Sequence, residues 1–269
     1  MSALRLGAAD AIAPPSTMCQ LLGLNANTPT DLIFSFTGFS SRAEEHKDGF
    51  GIGFFEGPGA RLFVDTVSAR VSPVAEMIRH YPLRSRHIIA HIRKATQGSV
   101  ALENTHPFMR ELWGRYWVFA HNGNLEDYQP KLHAAFRPVG STDSERALCW
   151  LMQELAKNHA RLPSMEDLTD TLRELVPTVA RHGAFNFLLS NGEVLWAHCS
   201  TRLHAVERVH PFSTAQLRDE ELTVDFAPLT TAQDRVAVIV TEPLTRNETW
   251  TALQPGELAA FREGRRQSC

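Results

Sequence analysis

The segment PPSTMCQLLG, residues 14–23, places a methionine and a cysteine directly before an apolar run. If Met18 is removed, Cys19 keeps a free α-amine with a reference pKa of roughly 7.7–8.0, close to the value of about 8.5 for a thiol. The amine can then take the thiol proton within the same residue, directly or through a water, and the thiolate that results is a nucleophile. The alternative interpretation is that Cys19 is an ordinary buried strand residue after an arbitrary methionine.

Residues 1–17, MSALRLGAADAIAPPST, do not have the pattern of an export signal. They contain no continuous apolar block of the roughly 7–15 residues that such signals need. We expect residues 1–18 to be a leader, a propeptide or an untranslated segment, and residues 19–269 to form one domain. Without an export signal, a reducing and cytoplasmic compartment is expected, so that Cys149 and Cys199 are buried small apolar residues rather than disulfide partners.

The composition is typical of a globular protein, with 43% hydrophobic and 21% charged residues among 269. The 27 basic and 30 acidic residues give a net charge of −3, which does not favour nucleic acid or an anionic membrane as a partner. No segment approaches the roughly 18 consecutive apolar residues of a membrane-spanning helix. A nucleic-acid or membrane function is therefore not expected.

Several apolar segments are typical of strands. Residues 20–26 indicate a buried strand, and residues 49–57 alternate glycine with apolar residues, which lets another backbone approach closely. The strands predicted in 85–96 and 115–125 end in polar clusters. Functional side chains of a sheet commonly lie at such strand ends. Further strands are predicted at 61–66 after a Gly-Pro-Gly turn, on both sides of Asn191-Gly192, and near 203–209, 222–226 and 235–241.

Two long helices are predicted in the middle of the chain. Residues 141–158 begin with a Thr-x-x-Glu capping box and continue as an apolar stripe, and residues 166–181 have a second helical pattern. A shorter helical spacing covers 31–43, with Asp31 as its cap. The order of strands, then helices, then strands indicates an α+β fold in which antiparallel sheets pack face to face with helices outside.

Polar residues at the ends of these elements are the candidate site residues. The guanidinium of Arg93 suits recognition of a carboxylate. The Asn122 amide and the Gly123 N–H can point at a developing oxyanion. Asp143, in the first turn of a helix, can bind an ammonium group, and His106 stands in an extended loop before proline. Each motif alone also has a plainer interpretation, as a surface charge, a turn, a helix-dipole partner or a loop.

Taken in order, the motifs resemble those of class II glutamine amidotransferases, most closely the stand-alone bacterial YafJ-like group. The resemblance runs from Met18 to about residue 262, and six motifs in the same order make it specific. The motifs are Cys19 with QLLG, DGFGIG at 48–53, HIRKAT at 91–96, NTHPF at 104–108, HNG at 121–123 and TDSE at 142–145. The resemblance implies the four-layer αββα sandwich of N-terminal-nucleophile (Ntn) hydrolases, with two antiparallel sheets.

The resemblance also implies roles for the catalytic residues. Cys19 would be the nucleophile, with its own α-amine as the base, and Asn122 and Gly123 would form the oxyanion hole. Attack on the side-chain amide of glutamine would give a γ-glutamyl thioester and ammonia, and water would then release glutamate.

The substrate-binding residues follow from the same resemblance. Arg93 would hold the α-carboxylate of glutamine and Asp143 its α-ammonium group. Thr96 and His106 would shape the pocket. Asp48, with the glycine after it, would support the nucleophile.

Two positions depart from the large synthases of this class, in which Trp follows the pocket arginine and His follows the threonine. Lys94 and Gln97 occupy these positions here. Those synthases couple ammonia release to a second domain, so the resemblance supports amide cleavage and does not identify an ammonia acceptor.

No cofactor and no metal are expected, since His87 and His91 share a strand face without a third ligand and are predicted to be structural.

Three functions remain open from the sequence. The first is a glutaminase or amidotransferase that passes ammonia to a separate partner enzyme. The second is a hydrolase of another γ-glutamyl amide, as in related enzymes of ergothioneine synthesis, because the clamp formed by Arg93 and Asp143 would serve both substrates. The third is a non-catalytic module that binds glutamine, against which an intact nucleophile, clamp and oxyanion hole argue.

Overall fold

The computed structural model describes residues 19–42, 48–81, 83–94 and 99–268. Within these ranges the chain forms four α-helices and fifteen strands. In chain order they are β1 (Gln20–Asp31), α1 (Ile33–Ser41), β2 (Phe50–Glu56), β3 (Gly59–Asp65), α2 (Pro73–His80), β4 (Arg84–Ile92), β5 (Phe108–Leu112), β6 (Arg115–Asn122), α3 (Asp143–Asn158), α4 (Met165–Ala180), β7 (Asn186–Ser190), β8 (Leu195–His198), β9 (His204–Val209), β10 (Thr214–Gln216), β11 (Thr223–Asp225), β12 (Arg235–Val240), β13 (Thr251–Ala252), β14 (Leu258–Arg262) and β15 (Arg265–Arg266).

Two large antiparallel sheets contain most of these strands. The first has seven strands in the order β13-β9-β12-β1-β4-β2-β3, and the second has six in the order β15-β14-β8-β7-β6-β5. Strands β10 and β11 pair with each other. The strand that follows Cys19 lies in the middle of the first sheet, with Leu22 opposite Val240 on one side and Ala90 on the other.

The alternation of side chains along the strands separates the core into three apolar layers. On β1, Leu22 belongs to an apolar cluster that includes Phe36 of α1 and Ile78 of α2, whereas the preceding Leu21 belongs to a cluster that includes Val118 of the second sheet. The opposite face of the second sheet packs against α3 and α4. The order is therefore helices, sheet, sheet, helices, which confirms the predicted α+β class and the αββα sandwich of two antiparallel sheets.

The long helix α3 begins as its capping box predicts. The Thr142 hydroxyl accepts the N–H of Glu145 at 3.2 Å. The Glu145 carboxylate is used elsewhere, since it accepts the N–H groups of Val139 and Gly140 and pairs with Arg110. The structure thus contains the first half of the box, while the carboxylate fixes the loop that leads into the helix.

The helix predicted over residues 31–43 is shorter than expected. It spans Ile33–Ser41, because β1 continues to Asp31. The N-cap position is held by Leu32 and not by Asp31 as predicted, and the Asp31 carboxylate accepts the Ile33 N–H at 2.6 Å from one residue earlier. Helix α2 and the strands β5, β10, β13, β14 and β15 have no counterpart in the sequence prediction, because each is short.

Within the described residues, no helix combines the length and the apolar character that crossing a membrane requires.

His87 of β4 lies in the layer between the sheets, where it is 5% exposed. Its Nδ1 atom is 3.3 Å from Nδ2 of Asn25 and 3.4 Å from Oγ of Ser190, so the imidazole joins the two sheets. Burial lowers the pKa of His87 to about 4, and the nearby Arg86 adds to this effect. The placement supports the predicted structural role of this histidine.

The depressed pKa of His87 predicts acid sensitivity. Below a pH of about 6.5 His87 is protonated in the unfolded chain, whereas in the folded chain it stays neutral down to about pH 4. The free energy of unfolding therefore falls as the pH falls from 6.5 to 4. The contribution of this one group is about 3 kcal/mol. We expect His87→Gln to flatten the pH dependence of the unfolding free energy between pH 6.5 and 4, with His80→Gln on the exposed face of α2 as the control substitution. Equal slopes for wild type and H87Q would contradict this assignment.

Candidate active site

Cys19 lies directly before the central strand of the first sheet. Gln20 pairs with Ile92 of β4, which brings Cys19 level with Arg93. The Cys19 Sγ donates to the carbonyl oxygen of Lys94 at 3.2 Å and accepts the Lys94 N–H at 3.1 Å. Burial raises the pKa of the Cys19 thiol, while the Lys94 amide and the Arg93 guanidinium act in the opposite direction. The main chain of Lys94 makes this contact, so the side chain at position 94 takes no part in it. The lysine that stands here in place of the tryptophan of the large synthases therefore leaves the contact intact.

Asn122 ends strand β6 of the second sheet and reaches across to the nucleophile. Its Nδ2 donates to the carbonyl oxygen of Cys19 and lies 3.3 Å from Oγ1 of Thr241. The Thr241 hydroxyl in turn accepts the N–H of Leu21 at 2.9 Å. The amide that the sequence assigns to an oxyanion hole therefore lies against the residue that the sequence assigns as the nucleophile.

Gly123 follows Asn122 at a point where two backbones meet. A Cβ atom on this residue would lie 1.8 Å from the carbonyl oxygen of Ala184, so only glycine fits. The same carbonyl oxygen is 2.9 Å from Nε2 of His121. Because a carbonyl oxygen can only accept, Nε2 carries the proton, and Nδ1 accepts the Ser144 hydroxyl at 2.8 Å. The backbone after β6 is thereby held close to the segment that leads into β7.

Arg93 is 4% exposed and is fixed by main-chain contacts. Its N–H donates to the carbonyl oxygen of Gly49 at 2.8 Å, and its Nη1 donates to that of Ser99 at 3.1 Å. Asn104 binds the same Ser99 carbonyl through Nδ2 at 3.1 Å and accepts the N–H of Ser141 through Oδ1 at 2.8 Å. Burial lowers the pKa of the Arg93 guanidinium, and the Cys19 thiol and the Asp48 carboxylate oppose that effect.

Asp143 is 5% exposed at the first position of α3. Its Oδ2 accepts the N–H of Leu125 at 2.8 Å, which ties the helix start to the loop after Gly123. Its Oδ1 lies 3.5 Å from the Ser144 hydroxyl. Burial lowers the pKa of the neighbouring His121, and the negative charge of Asp143 raises it in part.

His106 contributes its ring and its carbonyl oxygen to packing. The ring centroid lies 4.3 Å from that of His91 and 4.5 Å from that of Phe108. Burial, together with the charges of neighbouring groups that include His91 and Arg93, holds the pKa of His106 well below its usual range. Its carbonyl oxygen lies over Gly51 of β2, where a Cβ atom would approach it to 2.2 Å. This is the close backbone approach that the glycine alternation of residues 49–57 predicts.

Two hydrogen-bonded paths start from the described candidate residues Cys19, Asn122 and Arg93, and neither path includes His106 or Asp143. One path joins Cys19 to Asn122 directly. The other joins Arg93 through Ser99 and Asn104 to Ser141, next to the start of α3. Thr96 and Gln97 lie outside the described residues, as does Met18. Within the described parts of the chain, no group of three or more His, Cys, Asp or Glu side chains is arranged to hold a metal ion.

Four residues in or beside this network were not assigned from the sequence: Asn104, Ser144, Thr241 and Asn186, whose Nδ2 donates to the Asn122 carbonyl oxygen at 3.0 Å. Asn104 is the first residue of the NTHPF motif, and its position two residues before His106 could have suggested a structural amide. Thr241 directly follows the apolar run of β12, which is the same strand-end signal that identified Arg93 and Asn122. The partners of all four come from distant parts of the chain, and the sequence pattern does not reveal such pairings.

The chain belongs to the class II glutamine amidotransferases, since residues 18–269 match the family described as "Glutamine amidotransferases class-II". The fold agrees with that assignment.

Individual relatives agree with the family assignment. The Escherichia coli protein YafJ, whose name classes it provisionally as a glutamine amidotransferase, is 48% identical over 253 residues, which are 93% of this chain and 99% of that protein. A crystal structure of a Pseudomonas aeruginosa protein, described as a predicted glutamine amidotransferase, is 40% identical with a TM-score of 0.76 and covers 93% of this chain and 100% of that one. Glutamine phosphoribosylpyrophosphate amidotransferase from Bacillus subtilis shares the fold, with a TM-score of 0.59 at 15% identity over 93% of this chain and 48% of its own.

The contact between His106 and Gly51 predicts a position-specific loss of stability. In Gly51→Ala the new methyl group would meet a main-chain oxygen that cannot turn away, so we expect the free energy of unfolding to fall by about 3 kcal/mol. In Gly59→Ala, at the turn end of the same hairpin, the nearest heavy atom would be 3.4 Å from the methyl group, so we expect a change within about 0.5 kcal/mol. Urea unfolding of both variants checks this, and similar losses in both would mean that the close approach is not what requires glycine.

Proposed function

We propose that this chain hydrolyses the side-chain amide of glutamine, with Cys19 as the nucleophile at the first position of the active form. The observation that carries the proposal is the meeting of Cys19 and Asn122 at the ends of strands from different sheets. A thiol and a side-chain amide held together at strand ends provide an attacking atom and a hydrogen-bond donor for the charge that attack creates. Membership of the class II glutamine amidotransferases supports glutamine as the substrate.

Cleavage before Cys19 would supply the base. The sulfur is held by the carbonyl oxygen and the N–H of Lys94, and burial raises its pKa, so the thiol needs a nearby proton acceptor. A free α-amine on the same residue has a reference pKa of roughly 7.7–8.0 and lies within reach of the sulfur, directly or through a water. The family match covers residues 18–269, so residues 1–17 lie outside it.

The proposed reaction has two stages. The amine takes the thiol proton, and the thiolate attacks the side-chain carbonyl carbon of glutamine, so that a carbon–sulfur bond forms and the oxygen becomes an oxyanion. The ammonium form of the amine then protonates the leaving nitrogen, and ammonia departs from a γ-glutamyl thioester. In the second stage a water, deprotonated by the same amine, attacks the thioester and releases glutamate and the thiol. The ammonia passes to solvent or to a separate ammonia-accepting enzyme.

Asn122 and the Gly123 N–H would stabilise the oxyanion. One N–H of the Asn122 amide binds the Cys19 carbonyl oxygen, and the longer 3.3 Å contact to Thr241 is the one that the substrate oxygen would replace. Each donor of this kind changes kcat by roughly 10²–10³-fold in enzymes where it has been removed. The contact to Cys19 also keeps the donor next to the sulfur before substrate arrives.

Arg93 and Asp143 would clamp the two charges of the amino acid. Both side chains are at most 5% exposed, and charge-assisted hydrogen bonds are stronger where water is excluded. The clamp would place the side-chain amide over the sulfur and lower the entropic cost of attack. Another γ-glutamyl amide would meet the same clamp and differ in the group beyond the amide nitrogen.

The proposed role of Cys19 as the nucleophile at the first position is tested by activity, labelling and intact-protein mass. We expect wild type to release glutamate from glutamine, to begin at Cys19 by intact-protein mass, and to take up one equivalent of a diazo-ketone analogue of glutamine at that residue. Cys19→Ala should lose more than about a thousandfold in kcat and take up no label, because the attacking atom is absent. Cys149→Ala, on the buried face of α3, is the matched control and should retain activity. A species that retains residues 1–18 and still cleaves glutamine would falsify the role of the amine.

The clamp is tested by a substrate that lacks one of the two charges. Glutaramate has the carboxylate and the side-chain amide of glutamine and no ammonium group. We expect wild type to prefer glutamine strongly, and Asp143→Asn to lose about 10–100-fold in this preference with little change for glutaramate, because only the ammonium contact is weakened. Asp170→Asn, a surface pair with Arg173 on α4, is the control. An unchanged preference in D143N would remove Asp143 from the clamp.

A panel of γ-glutamyl amides separates the functions that the sequence left open. If a larger amide exceeds glutamine in kcat/KM, the physiological substrate is that amide. If wild type and Cys19→Ala release glutamate at the same background rate while both bind glutamine, the chain is a binding module and not an enzyme.

A further inference from the structure

Asn186 is a fully buried polar residue at the first position of β7. It faces Asn122 in the ladder between β6 and β7. Its Oδ1 accepts three main-chain N–H groups from the loop after β8, those of Ser200 at 2.9 Å, Thr201 at 2.9 Å and Arg202 at 3.3 Å. A side-chain oxygen that accepts three donors is held firmly in place.

These three contacts also settle the orientation of the Asn186 amide. Turning the amide over would point its NH₂ group at three N–H groups, which cannot accept a hydrogen bond. Nδ2 therefore points the other way, where it donates to the carbonyl oxygen of Asn122 at 3.0 Å and to Oγ1 of Thr201 at 2.8 Å. Both hydrogens of the NH₂ group are used.

The carbonyl of Asn122 and the N–H of Gly123 belong to one peptide unit. This peptide bond is trans, since the cis bonds of the described chain precede Pro107 and Pro211. In a planar trans peptide the C=O and N–H bonds point in opposite directions. Drawing the Asn122 carbonyl toward β7 therefore turns the Gly123 N–H away from β7, to the side on which β5 and the His106 segment lie.

A second contact restrains the same peptide unit. Gly123 packs so closely on the Ala184 carbonyl that a Cβ atom does not fit, and His121 holds that carbonyl through Nε2 at 2.9 Å. The Gly123 N–H is thus fixed in direction by Asn186 and in position by Ala184. A hydrogen-bond donor that is aligned before the reaction begins is what stabilisation of an oxyanion requires.

We propose that Asn186 is a positioning residue for the oxyanion hole, acting by holding the Asn122–Gly123 peptide in the orientation that aims the Gly123 N–H at the substrate oxygen. The inference rests on the proposed function and extends it to a residue that does not touch substrate.

The first test uses a variant that changes only the donor side of the amide. In Asn186→Asp the carboxylate can still accept the three loop N–H groups, but it presents an oxygen to the Asn122 carbonyl and repels it. We expect kcat for glutamine to fall about 10–100-fold, less than for complete loss of a donor, with KM within about threefold of wild type. The KM should hold because Arg93 and Asp143 are not disturbed.

Two controls separate positioning from stability. Thr201→Val removes the other acceptor of Nδ2 and leaves the bond to Asn122, so it should retain the wild-type kcat within about twofold. Asn25→Asp places the same substitution at another fully buried asparagine, between the sheets near His87, and reports what a buried aspartate does to stability alone. If N25D and N186D lose similar stability but only N186D loses kcat, folding is not the cause.

The second test measures the oxyanion hole directly. Glutamate γ-semialdehyde forms a thiohemiacetal with a cysteine: the carbon–sulfur bond forms, the carbonyl π bond opens, and the thiol proton moves to the oxygen that occupies the oxyanion position. We expect N186D to bind this aldehyde more weakly by the same factor as its loss in kcat, while the affinity for glutamate stays within about threefold. A kcat equal to that of wild type, or a parallel loss of affinity for the aldehyde and for glutamate, overturns the positioning role. A wild type that does not hydrolyse glutamine refutes the proposed function, and this inference with it.

Discussion

The site depends on one hydrogen bond, from the Asn122 amide to the Cys19 carbonyl oxygen. The two residues belong to different sheets, so this bond exists only if the sheets stack with the ends of β1 and β6 in line. The layer between the sheets enforces that alignment, because Leu21 and Ile89 of one sheet interlock with Val118 and other apolar residues of the second. The apolar core therefore fixes the offset of the two strand ends, and a sliding of one sheet over the other would separate Cys19 from the Asn122 amide.

Much of this architecture could be predicted from local pattern. The apolar run after Cys19, the capped helix from residue 143 and the hairpin at Asn191-Gly192 all lie where the sequence places them, because strand alternation, helix caps and turns are properties of neighbouring residues. The strand-end signal also identified Arg93 and Asn122. The roles of these side chains in catalysis rest on the family resemblance and stay predictions until the variants are measured.

What the sequence could not supply is the pairing of distant polar groups. Asn186 follows the plain pattern of a strand start, and its hydrogen bonds go to three amides near residue 200 and to a carbonyl 64 positions away. The Glu145 carboxylate likewise binds a loop and an arginine, whereas the capping pattern considers only its own helix. A buried amide or acid within an apolar run signals that partners exist, since an unsatisfied polar group is costly in a core, but the signal does not say which partners.

The two hydrogen bonds between the Cys19 sulfur and the main chain of Lys94 allow the side chain at position 94 to vary within the family. Main-chain donors and acceptors are the same for nineteen of the twenty amino acids, and only proline lacks the N–H. Position 94 can therefore exchange a tryptophan for a lysine without disturbing the thiol, and selection is free to use the side chain for other purposes, such as lining an entrance or meeting another protein. For protein engineering, this makes position 94 a place where the side chain can be changed while the main-chain contacts to the Cys19 sulfur stay in place.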